Sequence, residues 1–233
     1  MLQTLKHRLH LLERAFTRGW GTDISTPRAR RVAKWHFYLS DHGFLRGLWT
    51  NQFQIAPGVW RSNQPSPARL RKLKAMGIET VLNLRGADRF SFYLFEAETC
   101  AELGLTLIDH KIYARSLVPR TRFLELFKIF DGIEKPFVMH CKSGADRAGL
   151  AAALWLLDQE GATLDQAKAM LSLKYVHLKR TKTGLMDHVL EVFEADTSEV
   201  PMPIRQWFAE KYDPRRVTAS FNAKMGRQMV ALP

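Results

Sequence analysis

Cysteine is scarce in this chain. Two thiols in 233 residues, Cys100 and Cys141, give no disulfide framework and no CxxC zinc spacing. Both suit a reducing compartment, where a reactive thiol stays unoxidised, so a cytoplasmic location is expected. Long apolar runs are missing too. The run over 148–157 falls well short of the roughly 18 residues a membrane-spanning helix needs. The first residues lack the continuous apolar stretch of a secretory signal. Acidic residues are in deficit, with 23 Asp and Glu against 35 Lys and Arg, a net charge of +12. Such a balance favours anionic partners: phosphorylated substrates, an acidic membrane surface or nucleic acid. Aromatics alternate with basic residues between Arg28 and Trp60, as in stacking platforms. No recognised RNA or DNA motif accompanies them, so nucleic acid is not expected as a partner.

What is present is an ordinary globular composition, 46% hydrophobic and 25% charged, enough for one real core. In 1–18, Leu2, Leu5, Leu9, Leu12 and Phe16 recur at helical spacing, with Lys6, Arg8, Arg14 and Arg18 on other faces. This segment reads as a helix packed on the domain, with peripheral contact to an anionic membrane as the alternative. A basic cluster and an aromatic-rich stretch complete a lead-in over 1–55. The core domain is placed at 56–196, and a helical tail at 197–233 ends in a basic, frayed terminus.

Within the core, strands and helices alternate. Ser66-Pro67 reads as a helix N-cap with proline in the first turn, and Gly77 as its stop. Strands are expected over 78–84, 105–109 and 136–140. Helices are expected over 92–103, 121–130, 147–160 and 183–193, with another opened by Thr163. Cys100 falls in a helical pattern and reads as a plain buried thiol. The order predicts an α/β fold: a mostly parallel central sheet flanked by helices on both faces, with extra N-terminal and C-terminal helical segments. In such sheets ligands bind beyond the carboxyl ends of the strands.

At one such end stands His140-Cys141-Lys142-Ser143-Gly144-Ala145-Asp146-Arg147. A polar, glycine-bearing interruption separates an apolar strand from an apolar helix. Successive N–H groups from Lys142 to Arg147 can curl into an anion nest, and the helix adds its positive end. Lys142, Ser143, Gly144 and Ala145 are the expected substrate-binding positions. Arg147 can fork onto two phosphate oxygens. The same positive field favours the thiolate of Cys141, which can then attack phosphorus.

This loop resembles the signature of the cysteine-dependent protein tyrosine and dual-specificity phosphatase superfamily. Trp60-Arg61-Ser62-Asn63-Gln64-Pro65 and Val81-Leu82-Asn83-Leu84-Arg85 are similar to entry segments of the bacterial and fungal atypical dual-specificity type. The resemblance covers about 59–193. It implies a compact phosphatase fold, a metal-free mechanism with no cofactor, Cys141 as nucleophile and Arg147 as phosphate binder. Two departures stand out. The superfamily commonly has Ser or Thr directly after the loop arginine, and this chain has Ala148. The upstream loop over 113–119, where the family's general acid usually lies, has no carboxylate. Asp146, in a position resembling myotubularins and bacterial lipid-dephosphorylating enzymes, is the favoured general acid, and Asp109 the alternative.

Lys142 resembles the loop lysine of phosphoinositide 3-phosphatases. Arg85 and Arg115 are candidate second-phosphate contacts, and each reads equally well as a surface ion-pair partner. His140 reads as a structural group behind the loop, and the segment 175–182 as a border of the site. The expected substrate is a phosphorylated protein or a phospholipid or inositol phosphate head group. The alternative is a weak pseudophosphatase that binds a phosphorylated partner. Oligomeric state is left open.

Overall fold

The computed structural model describes residues 20–226. The helix expected over 1–18 lies outside the described residues. Five strands form one sheet in the order β1-β2-β5-β3-β4. They are β1 (Phe53–Ala56), β2 (Val59–Asn63), β3 (Thr80–Asn83), β4 (Thr106–Asp109) and β5 (Phe137–Cys141). β2, β5, β3 and β4 run parallel, and β1 is antiparallel to β2. Every residue of β3 and β5 is buried, as a parallel sheet covered on both faces requires. The β1–β2 hairpin straddles the expected boundary between the lead-in (1–55) and the core (56–196), so β1 begins before the expected core. Its turn is Pro57-Gly58, with Gly58 at φ +73°, the conformation glycine adopts without strain.

Strand alternation divides the core in two. Val81 and Val138 pack with Leu70, Leu73, Ile78 and Cys100, under α3 (Pro67–Ala75) and α4 (Ser91–Leu103). Leu82, Phe137 and Met139 face the larger core. That core lies under α5 (Arg120–Gly132), α6 (Asp146–Gln159) and α8 (Leu185–Asp196). Before the sheet come α1 (Pro27–Trp35), a π turn (His36–Ser40) and α2 (Gly43–Leu48), and α7 (Leu164–Lys168) follows α6. Ser66 caps α3 by accepting from Arg69 N–H, and Thr163 opens α7 through a capping box with Gln166. Ala148, Ala151, Ala152 and Ala153 are fully buried, so α6 lies close against the sheet. Burial, with the charges of Glu96 and Asp109, pushes the Cys100 thiol up to about 12, an inert group at neutral pH. Among the described residues no helix is long and apolar enough to cross a membrane.

The last residues, where a frayed terminus is expected, lie outside the described residues, but the tail is helical as far as 224. After α9 (Ile204–Glu210), a further helix, α10 (Pro214–Lys224), is capped by Asp213. Val217 and Phe221, four residues apart, are its buried stripe within a basic sequence. Trp207 and Phe208 are fully buried. Phe208 meets the ring of Phe123 at 4.4 Å, and Tyr212 Oη donates to Val118 O at 2.9 Å.

The register aligns the carboxyl ends that matter. Cys141 pairs with Asn63, and His140 with both Ser62 and Asn83. The thiol thus stands at the end of the central strand, at the entry to α6. Trp207→Ala is expected to cost about 3–5 kcal/mol in urea unfolding. A loss below about 1 kcal/mol would show that the last two helices add nothing to the core.

Candidate active site

Between Cys141 and Asp146 the backbone turns through Gly144 at φ +72°. A Cβ there would lie 2.7 Å from Asn63 N and from Ser62 C and O, below any tolerable contact. Both the backbone conformation and the approach to β2 therefore require glycine.

The outside of this turn is held by donors. Lys142 O accepts from Gln64 N–H at 3.3 Å. Ser143 O accepts from Asn51 Nδ2 at 3.0 Å. Arg61 Nη2 donates to Gly144 O at 2.6 Å and to Ala145 O at 3.1 Å. In a trans peptide the N–H points opposite the carbonyl. Four consecutive carbonyls drawn outward therefore turn the N–H groups of 143–146 inward, the arrangement of an anion nest. Ala145 N–H also reaches Ser143 Oγ at 3.4 Å, a long contact.

Arg61 and Asn51 are structural parts that the motif alone does not name. Arg61 is fully buried, donates also to Met170 O at 2.7 Å, and lies over the Tyr175 ring at 3.9 Å. Burial pulls its pKa down to about 10 against the pull of Tyr175, Cys141 and Asp146, and it remains a cation at neutral pH. Asn51 sits in the left-handed region at φ 46° and bridges Ser143 O and Tyr175 O.

A cavity of about 580 Å³ opens on the loop. Lys142, Ser143, Asp146 and Arg147 line one side; Arg46, Trp49, Tyr113 and Arg115 are among those lining the rest. Cys141, Gly144 and Ala145 are buried. The Nε of Arg147 has no hydrogen-bond partner among the described residues. Beside the cavity, buried Asp41 meets Arg85 at 2.9 Å, Arg46 at 2.7 Å and Lys142 at 3.4 Å. Burial alone would raise the Asp41 carboxyl; the three cations overcome it and hold the group at about 2. Burial also depresses the Lys142 ammonium, which the Asp41 charge opposes.

The two arginines read alike from sequence thus separate. Arg85 is committed to Asp41 and Gln64 and stacks over Phe92 at 3.4 Å. Arg115 is exposed and lines the cavity.

The two candidate acids separate as well. Asp109 ends β4, exposed, accepting from Asn83 Nδ2 at 2.8 Å and Tyr93 Oη at 2.6 Å. It is not part of the cavity wall. Asp146 opens α6, lines the cavity, and places Oδ1 2.7 Å from His177 Nδ1. His140 Nε2 lies 2.8 Å from Glu96 Oε1, both side chains buried behind the loop. Ala148 is fully buried and brings no hydroxyl to the site.

Gly144→Ala is expected to lower stability by about 1–3 kcal/mol and to abolish binding of orthovanadate, a phosphate analogue. An unchanged urea midpoint together with unchanged vanadate affinity would contradict this account of the turn.

No family model and no curated protein matches the sequence, but solved structures do. TpbA of P. aeruginosa matches at 18% identity over 64% of this chain and 91% of that chain, with a TM-score of 0.50. Tk-PTP in its active form matches at 20% identity over 62% and 98%, with a TM-score of 0.49. The core catalytic domain of the PP-IP phosphatase SIW14 of S. cerevisiae matches at 13% identity over 66% and 96%, with a TM-score of 0.47. At such identities the likeness is one of fold. The chain has the α/β fold seen in TpbA, a five-stranded, mostly parallel sheet flanked by helices.

Proposed function

We propose that this protein hydrolyses phosphate monoesters through a cysteinyl-phosphate formed on Cys141. One observation carries the reading: the carbonyls of residues 142–145 are all turned outward onto donors, and the turn they shape runs from Cys141 to Arg147. A phosphate dianion repels an anionic nucleophile. The inward amides, the helix end and the Arg147 fork neutralise it before attack.

In the first half-reaction Cys141 Sγ bonds to phosphorus as the ester P–O bond breaks. The electron pair leaves on the ester oxygen, which takes a proton from Asp146. In the second, water attacks phosphorus, the P–S bond breaks, and the water proton returns to Asp146 while the thiolate re-forms. Lys142 and the loop residues Ser143, Gly144 and Ala145 bind the transferring phosphoryl group. Ala148, where a hydroxyl would assist thiolate departure, makes the second half-reaction the slow one.

The substrate class follows from the charges around the cavity. Arg46, Arg115 and Lys142 line it beyond Arg147, against the carboxyl groups of Asp146 on the wall and Asp41 beside it. Cations spaced around one cavity suit a head group with more than one phosphate. A phosphoinositide or another phosphorylated lipid head group fits, reached by peripheral contact with an anionic membrane in keeping with the net charge of +12.

The test is phosphate release from an aryl phosphate, phosphotyrosine peptides, inositol phosphates and vesicles of phosphorylated lipid. Release strongest on vesicles, falling to background in Cys141→Ser, is the expected result. Release strongest on peptides would overturn the lipid assignment. Bound phosphate without turnover on any substrate would overturn the enzyme reading and leave a phospho-ligand binding module.

A further inference from the structure

The segment before α8 contains a strained residue and a buried cation, and the reaction above uses neither. Val176 holds φ 59°, a conformation that costs a β-branched residue dearly. The next residue, His177, is 1% exposed. Its Nδ1 lies 2.7 Å from Asp146 Oδ1 and its Nε2 2.5 Å from Asp187 Oδ2. A ring that meets a carboxylate on both sides satisfies both only by donating from both nitrogens, as imidazolium. The strained backbone at Val176 is what delivers the ring to that place.

Resting on the assignment of Asp146 as the general acid, we infer that His177, held by Asp187, is the positioning residue that aims Asp146. His177 occupies Oδ1 of Asp146. Asp146 lines the cavity, so Oδ2 is the oxygen left to meet the leaving group. A ring fixed by Asp187 against Oδ1 holds the carboxyl group in one orientation. The arrangement also explains how an aspartate inside the loop replaces an acid on a separate mobile segment: its orientation comes from a second element, not from loop closure.

Of the charged groups around His177, the two carboxylates favour its cation and the two nearby cations do not. Asp146 faces it from α6 and Asp187 from α8. Lys179, on the intervening loop, lies 3.5 Å from Asp187 Oδ1. Arg61, from β2, is coupled to Asp146 and to Cys141 and Tyr175. Burial alone would discharge the imidazole. Its bonds to Asp146 and Asp187 win and raise it to about 9, so the cation persists through neutral pH and is lost only as pH rises through that value.

The experiment pairs kinetics with a titration. Asp146→Asn is expected to lose about 10²–10⁴ in rate on alkyl phosphates and far less on an activated aryl phosphate. If both substrates respond equally, the general-acid assignment fails. His177→Gln is expected to lose about tenfold or more on alkyl phosphates. It is expected to lose far less on an activated aryl phosphate, because the acid is present but misaimed. An equal loss on both substrates would mark His177 as merely structural and overturn the inference. Asp187→Asn guards against misfolding of the His177 variant, since it keeps the ring and its bond to Asp146. NMR titration of the His177 ring should give a midpoint near 9 in the wild-type chain, falling by a unit or more in Asp187→Asn. A wild-type midpoint at the ordinary histidine value, or one that Asp187→Asn does not move, would also overturn it, whatever the kinetics of Asp146→Asn.

Discussion

The site depends on one buried guanidinium. Arg61, carried on a central strand with no exposure to solvent, takes the carbonyls of Gly144 and Ala145. Burying a cation is costly unless its hydrogen bonds are met. Here three carbonyls accept from Nη1 and Nη2 and the face of Tyr175 covers the guanidinium, while Nε has no partner among the described residues. The result is that a turn of small residues, with little side-chain packing of its own, acquires a fixed set of peptide planes. Asn51 extends the same device to Ser143 and ties it to Tyr175. The segment near Met170 and Tyr175 is thereby coupled to the loop, and His177, two residues beyond Tyr175, meets Asp146 from the same side.

Charge is layered around that frame. Amide dipoles form the innermost layer. Lys142, Arg46 and Arg85 gather around Asp41, a single buried carboxylate that lets three cations sit together before any phosphate arrives. Were Asp41 neutral, their mutual repulsion would spread them. Because it stays ionised down to about pH 2, the layer persists across the physiological range. Arg46 and Lys142 of this layer line the cavity, where the proposed phosphate would meet charge already in place.

Much of this was legible in the sequence, for identifiable reasons. Apolar strands bounded by turn residues, the Ser66 and Thr163 caps, and the glycine stops are local signals, and the elements stand within a few residues of their expected limits. The strand–turn–helix passage from Cys141 to Arg147 was legible because its glycine and its flanking apolar segments are consecutive in the chain. The supporting layer was not. Arg61 sits in an ordinary strand pattern, and nothing local says that its charge is turned inward. Asn51 acts through a left-handed backbone that its neighbours do not announce. Asp146 meets His177 across 31 positions, a contact made only by packing α6 beside the segment before α8. The hairpin at Pro57-Gly58 was obscured by surrounding aromatics, and α10 by its basic composition, although Asp213-Pro214 is a start signal in retrospect.

The most direct test of the central claim is to follow the backbone amides of 143–146 by ¹⁵N–¹H NMR while orthophosphate is titrated into the protein and into Arg61→Met. The account predicts that these four amides shift together and saturably in the wild-type chain and lose that response in Arg61→Met. Shifts confined to residues outside the loop, or an Arg61→Met response equal to that of the wild type, would contradict it.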